Sequence, residues 1–419
     1  VKNLASKINT VAVIGAGTMG HGIAQVAAMF GCKVNLVDVS EDFLKMGMER
    51  IKWSLGKFAE KKVISESVDT VLSRIKPTTS LAEGVKDIDY MVEAVPENID
   101  LKMKVFAEAD KNAPAHAILA TNTSGLSITM ISEATKRPDK VVGMHWMNPP
   151  QLMRLIEVIK GKHTSDETLQ TTIELCKRFG KETVVAKKDV WFFLAARAHI
   201  GWGTEATLMW LRGEAKIEEI DAMARYKLNL PMGPFELSDL TGQADIVKEA
   251  YTSIDKILTK NPDFEPNPVG LYMFKRLAEQ VWIPRSEQGK SGMKTGEGFY
   301  KYPGPGKYAR PDLPKELAEK VDPIQVLAPA VNSAAWCVTN GVGSIEDTDK
   351  SFELAFGWPK GAFKLADEYG IHNIVNVLLE KRAKVPDWQK AFYTPDPLLT
   401  RMVEDGKLGK ITGEGFYKY

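Results

Sequence analysis

Cysteine is scarce. The 419 residues hold three, Cys32, Cys176 and Cys337, with no CxxC spacing, which argues against a disulfide framework and against a zinc or other metal site built on thiolates. An excess of one charge is also missing. Lys and Arg number 55 against 54 Asp and Glu, a formal charge of +1, so no basic stripe recommends a nucleic acid or an anionic membrane surface as partner. Long apolar runs are absent too: Val190 to Ala196 ends at Arg197, far short of a membrane span. No basic segment precedes an apolar stretch as in a signal peptide, and a reduced, cytoplasmic setting is the expectation.

What is present is an ordinary globular mixture, 44% hydrophobic and 26% charged, at a length that suits two or three domains. Short buried strands are expected at Thr10–Ile14, Lys33–Val37, Tyr90–Ala94, Ala117–Ala120, Lys140–Met144 and Leu152–Ile159. Helical patterns lie between them, from His21 to Phe30 and from Glu41 to Lys62. That alternation predicts an α/β fold with a parallel, doubly wound sheet over residues 1–187.

Helical periodicity takes over after about Lys188, and this part repeats itself. Pro231, Gly233, Phe235, Leu237, Asp239 and Gly242 recur at one offset as Pro359, Gly361, Phe363, Leu365, Asp367 and Gly370, with Ile217, Glu218 and Asp221 recurring as Ile345, Glu346 and Asp349. Lys294-Thr-Gly-Glu-Gly-Phe-Tyr-Lys-Tyr302 returns at the end of the chain with one residue inserted. Two such echoes in the same order predict a duplicated all-α domain. The first copy is expected over 188–305, a Pro- and Gly-rich linker over 306–320 and the second copy over 321–419.

Gly15-Ala-Gly17-Thr18-Met19-Gly20 follows a strand and opens a helix, as in a Rossmann-type dinucleotide fold. The glycines permit a tight turn, backbone approach to a pyrophosphate and close helix–strand packing, and the helix N-terminus offers donors to phosphate. Asp38 ends the next strand, where a carboxylate accepts the adenine-ribose hydroxyls and repels a 2′-phosphate, favouring NAD over NADP. His21, just beyond the glycines, reads as an exposed first-turn residue rather than a catalyst.

Oxidation of an alcohol needs a base for the hydroxyl proton while hydride leaves. Of six histidines, His145 stands at the end of an apolar strand, where catalytic groups of open α/β sheets gather. Beyond the turn at Pro149-Pro150, Glu157 sits between Ile156 and Val158. A reversal at that turn returns Glu157 alongside His145, and a buried carboxylate needs such a partner. The plainer alternative is a structural histidine and a solvent-facing glutamate.

Taken together, Val11-Ala-Val-Ile-Gly-Ala-Gly-Thr-Met-Gly20, Glu93-Ala-Val-Pro-Glu-Asn98, Thr121-Asn-Thr-Ser124, Gly143-Met-His-Trp-Met-Asn-Pro149, Leu155-Ile-Glu-Val-Ile159 and Pro231-Met-Gly-Pro-Phe-Glu-Leu237 resemble the NAD-dependent (S)-3-hydroxyacyl-CoA dehydrogenases over nearly the whole chain. The resemblance implies His145 as base with Glu157 its partner, Ser124 bonding the substrate's 3-oxygen, and Asn148 close to the reacting centre. It implies Glu97, Lys102 and Lys294 as further NAD contacts, and Ser54, Lys61 and Lys102 as contacts of coenzyme A. It also implies an acyl-CoA substrate, a place in fatty acid β-oxidation, fusion to or association with an enoyl-CoA hydratase, and a second helical copy that takes the place of a homodimer partner.

One stretch departs from that pattern. The family reads roughly Asp-x-Pro-Gly-Phe-Ile-x-Asn-Arg, and this chain has Asp189-Val-Trp-Phe-Phe-Leu-Ala-Ala196-Arg197. Ala196 cannot donate the asparagine's hydrogen bond, a loss of about 2.7–4 kcal/mol where such a donor is optimally placed. Trp146, Trp191 and Phe192 suggest a restricted pocket and hence short acyl chains. The alternatives are a dehydrogenase of a free β-hydroxy acid, favoured if the coenzyme A contacts fail, and an NAD-binding protein with little turnover.

Overall fold

The computed structural model describes residues 4–419. The chain forms two compact units, one ending at Phe193 and one running from Leu194 to Tyr419. In the first, eight strands make one sheet: β1 (Thr10–Ile14), β2 (Lys33–Val37), β3 (Ile75–Thr78), β4 (Tyr90–Glu93), β5 (Ile118–Thr121), β6 (Val141–Trp146), β7 (Leu155–Ile159) and β8 (Glu182–Ala186), in the order β3-β2-β1-β4-β5-β6-β7-β8. Every pair is parallel except β6–β7. The inner strands are runs of Val, Ile, Leu and Ala because helices cover both faces of a parallel sheet.

Strands β3 and β8 go beyond those expected from the sequence. β3 carries Pro77, tolerated because the strand lies at the sheet edge. The strand expected from Leu152 starts only at Leu155, since Leu152 and Met153 both donate their amides to the Pro149 carbonyl in a turn. Helix α1 (Gly20–Met29) follows the glycine loop and is buried from Gly20 to Ala28. His21 is therefore buried rather than exposed, its Nδ1 donating to the Gly17 carbonyl at 2.7 Å. Burial holds its imidazole below the usual histidine range.

In the second unit the repeat explains itself through hydrogen bonds. Buried Asp221 accepts from the amides of Phe235 and Glu236 and from the Tyr300 hydroxyl. Asp239 accepts from the amides of Phe299 and Tyr300 and from the Tyr302 hydroxyl. In the second copy Asp349 accepts from Phe363, Lys364 and the Tyr417 hydroxyl, and Asp367 from Phe416, Tyr417 and the Tyr419 hydroxyl. A Cβ on Gly298 or Gly415 would collide with the second aspartate of its own copy. The recurring Asp, Gly and Tyr positions thus form one clasp, made twice. Beside it the copies carry the same ion pair with its charges exchanged: Arg225–Glu236 in the first, Lys364–Glu353 in the second. In each the glutamate also accepts from a glycine amide, Gly233 or Gly361.

The copies pack through α2 (Ala195–Leu211) and α3 (Ile324–Thr339). Gly201 lets them approach, because a Cβ there would run into the Pro329 carbonyl. Ser333 donates to the Ala198 carbonyl at 2.6 Å and accepts from the Gly201 amide at 3.1 Å. His199 lies stacked on Phe356, and burial pushes its imidazole down to about 3, so it is a neutral core group. Glu205, fully buried on α2, is paired with Lys381 at 2.8 Å and Arg212 at 3.2 Å and also accepts from the Tyr393 hydroxyl. Removing one partner of a buried ion pair strands the other. Lys381→Met is expected to lower the unfolding free energy by about 3 kcal/mol, the low end of the range since Arg212 remains, read from denaturant melts.

Candidate active site

The carboxyl ends of β1, β2, β4, β5 and β6 form one edge, and the predicted residues collect there. Gly15 has φ +102°, and a Cβ on it would lie 2.6 Å from the Ala94 carbonyl oxygen, so only glycine fits. A Cβ on Gly17 would meet nothing within 4 Å, which leaves open space against exposed loop backbone. Thr18 is exposed and Met19 half-buried beside it, and Gly20 turns its Cα toward the Gly15 carbonyl. Asp38 closes the loop: Oδ2 accepts from the Ala16 amide at 2.8 Å, while Oδ1 has a long 3.4 Å contact from the Ser40 amide. Open space before the exposed loop and helix start, with a carboxylate oxygen at its side, fits a dinucleotide with a plain ribose.

Under the next strand lies a network only partly legible in the sequence. Glu93, fully buried at the end of β4, accepts from Lys102 Nζ at 2.6 Å, the Thr121 hydroxyl at 2.8 Å and the Val95 amide at 2.9 Å. Burial pushes its carboxyl up, and the Lys102 ammonium and these donors oppose that. Lys102 also donates to the Val95 carbonyl and reaches Glu97 at 3.4 Å. Glu97 in turn accepts from the Thr123 hydroxyl and, at 3.1 Å, from the Ser124 amide. The loop bearing Ser124, which is exposed, is therefore tied to β4 through Glu97. With 1% of its side chain exposed, Lys102 does not offer a free cation to a coenzyme A phosphate, which corrects that expectation. Glu93 carried the same signal as Glu157, an acid inside an apolar strand.

The antiparallel register of β6 and β7 sets His145 opposite Glu157. Nδ1 of His145 lies 2.9 Å from Glu157 Oε2, with the glutamate 1% and the histidine 16% exposed. A carboxylate only accepts, so Nδ1 carries the hydrogen and Nε2 is left as the acceptor. Beyond β6, Asn148 is exposed on the turn, joined to Pro149 by a cis peptide. Asn122 holds the strand end, its Oδ1 accepting from the Trp146 amide at 2.9 Å. Trp146 packs into the core beside Phe179 and does not line a pocket, contrary to expectation.

Asp189 accepts from the Ser127 hydroxyl and the amides of Ile128 and Thr129, fastening the segment after β8 to the segment after Ser124. Burial pushes its carboxyl up against these donors. The aromatic run follows. Phe192 and Phe193 have φ of +65° and +53°, left-handed backbone that costs an L-residue about 1–2 kcal/mol each. Trp191 is buried and stacked on Phe192 with ring centres 4.5 Å apart. Phe192 Cδ1 would stand 4.0 Å from a Cβ on Gly125, and the Phe193 ring meets His145 edge-on at 6.2 Å. Because these neighbours in sequence lie beside Gly125 and His145, the Ser124 loop and the histidine share one neighbourhood.

Two expected contacts are not gathered here. Ser54 is 5% exposed, on the core-facing side of its helix with Ile51 and Leu55, whereas Lys61 caps that helix and is exposed. The two do not present one open face to a coenzyme A. Lys294, in the second unit, is exposed and 3.1 Å from Asp245. Ala196 lies half-buried in the first turn of α2.

Lys181 was not anticipated. Its Nζ donates to the carbonyls of Pro150 and Met153, both at 2.7 Å, and pins the turn that follows Asn148. Burial pushes its ammonium down to about 8, against roughly 10.4 in an unfolded chain. The folded state then binds fewer protons than the unfolded state between those values, so stability is highest above the window and falls as pH drops through about 8. Denaturant melts across that window should show the fall in the wild type and a flatter profile in Lys181→Met.

Comparison with known proteins places this arrangement. The chain matches the 3-hydroxyacyl-CoA dehydrogenase NAD binding domain over residues 10–190, and the C-terminal domain of the same enzymes over 193–302 and again over 325–419. It is 40% identical over 301 residues to the hydroxyacyl-coenzyme A dehydrogenase, mitochondrial, of Sus scrofa, covering 70% of this chain and 91% of that one. It is 38% identical over 293 residues to a "Probable 3-hydroxybutyryl-CoA dehydrogenase" of Deinococcus radiodurans, covering 69% and 99%. The crystal structure of 3-hydroxybutyryl-CoA dehydrogenase from Escherichia coli K12 superposes with a TM-score of 0.79 at 25% identity, over 96% of this chain and 99% of that one. The chain belongs to the 3-hydroxyacyl-CoA dehydrogenase family, with the family's C-terminal domain present twice.

Proposed function

We propose that the chain interconverts (S)-3-hydroxyacyl-CoA and 3-oxoacyl-CoA with NAD as hydride acceptor or donor. The observation that carries this reading is the His145–Glu157 pair at the end of β6, on the sheet edge that also bears the glycine loop. Gly15, Gly17, Thr18, Met19 and Gly20 hold the pyrophosphate on backbone amides, and Asp38 Oδ1 takes the ribose. NAD bound there supplies the acceptor for the hydride from C3.

The chain's own groups handle the proton. His145 Nε2 takes it from the 3-hydroxyl as the C3–H bond breaks and the C–O bond becomes a carbonyl. Nδ1–H stays on Glu157, whose carboxylate stabilises the imidazolium that forms. Ser124 donates to the 3-oxygen, Asn148 stands nearby on its turn, and Glu97 fixes the Ser124 loop from below. Lys102 acts through Glu93 and Glu97 as a positioning residue. In the reverse direction His145 returns the proton.

Lys61 remains the cation available to coenzyme A phosphate, and the names of the Deinococcus and Escherichia relatives support a short acyl group. An enoyl-CoA hydratase, which makes the (S)-3-hydroxy substrate, is the partner this reading implies. The packing of the second helical copy on the first supports a chain that needs no homodimer partner. Cytoplasm remains our choice of compartment. Burial of Ser54 and Lys102 favours one second reading, a free β-hydroxy acid as substrate.

Absorbance at 340 nm with NADH decides between them. Acetoacetyl-CoA should be reduced and acetoacetate not, and the opposite preference would establish the second reading. His145→Ala and Glu157→Gln are expected to lower kcat/KM on the order of 10²- to 10⁴-fold with NADH affinity unchanged. Wild-type rates in either variant would remove the dyad from the mechanism.

A further inference from the structure

Two successive aromatic residues in left-handed backbone are a costly arrangement, since a glycine would take either position without strain. Of the described residues other than glycine, only Lys62 and Asn229 also have positive φ, and those lie far along the chain from the sheet edge that carries His145. What the strained turn achieves is placement. Asp189 is anchored to the segment after Ser124, the Phe193 amide closes onto the Val190 carbonyl, and three aromatics fan out from that fixed point. Trp191 goes into the core, Phe193 is fully buried with its ring edge-on to His145, and Phe192 alone is left half-buried. Its ring is backed by Trp191 and lies beside Gly125, the residue after Ser124, with Cδ1 4.0 Å from where a Cβ would stand.

We propose that Phe192 is the residue that limits acyl-chain length. The inference rests on the reading above, in which the 3-oxygen lies between Ser124 and His145. C3 then carries two substituents, the polar arm leading to the thioester and the alkyl arm. A stacked pair of aromatic rings beside Gly125 solvates an alkyl group and offers nothing to a thioester or a pantetheine amide. The alkyl arm therefore points to Phe192, and the ring, held from behind by buried Trp191, has no room to retreat. A methyl at C4 fits against it, and a longer chain meets the ring. The left-handed φ is what aims the ring there, so the strain is retained for selectivity.

The test compares kcat/KM for four-carbon acetoacetyl-CoA and eight-carbon 3-oxooctanoyl-CoA with NADH in the wild type, Phe192→Gly and Phe192→Ala. Phe192→Gly relieves the backbone and removes the ring, and Phe192→Ala removes the ring alone, so a folding failure of one variant leaves the other. Thermal melts accompany both. The wild type should favour the four-carbon substrate by about tenfold or more, and both variants should shift the ratio toward eight carbons by at least about tenfold, mainly through KM. An unchanged ratio in folded variants overturns the proposal, as does a wild type that already prefers the longer chain, and both results leave the proposed reaction standing. No turnover of either acyl-CoA by the wild type would overturn the reaction itself.

Discussion

A carboxylate with 1% of its surface exposed has to be matched by a donor, and in this sheet the match for Glu157 is His145. That requirement organises the active edge. It needs β7 to run against β6, because only an antiparallel neighbour sets residue 157 across from residue 145 in this register. The reversal in turn needs the tight turn at Pro149–Arg154, which Lys181 holds by two carbonyls from the start of β8. One cross-strand pair thus links three strands and a lysine that is nowhere near it in sequence.

The same logic recurs one strand over. Glu93 is as buried as Glu157, and its partner Lys102 lies on the following helix. Glu157 has a histidine, which can exchange a proton, and Glu93 has a lysine and two fixed donors, which hold geometry. Two acids in equivalent apolar strands therefore serve different ends, decided by the partner each meets. The helical unit uses buried acids a third way, as hydrogen-bond acceptors that hook the Gly-Phe-Tyr segments in both copies.

Much of this was legible in the residues. The glycine loop with Asp38, the His145–Glu157 return and the duplication all rest on spacing or on an acid in apolar company, signals that survive without three-dimensional knowledge. The misses share a cause. Strand β3 holds a proline and β8 reads Glu-Thr-Val-Val-Ala, too polar at its start to declare itself. Helix position suggests exposure for His21, and the resemblance implies accessible contacts at Ser54 and Lys102, but which side of a helix is covered depends on what packs there. Size suggests Trp146 and Trp191 as pocket walls, but burial puts both in the core and leaves Phe192 half-buried. The left-handed backbone at Phe192 and Phe193 has no sequence signal beyond two large residues where glycine would be easier.

Glu157 fixes where His145 carries its hydrogen. This role is tested most directly by ¹⁵N NMR of the chain labelled at histidine, with the His145 signals assigned by His145→Gln. The neutral imidazole should be protonated at Nδ1 and bare at Nε2, and Glu157→Gln should abolish this preference. A neutral His145 protonated at Nε2 in the wild type would contradict it, because the nitrogen assigned to receive the substrate's proton would already hold one.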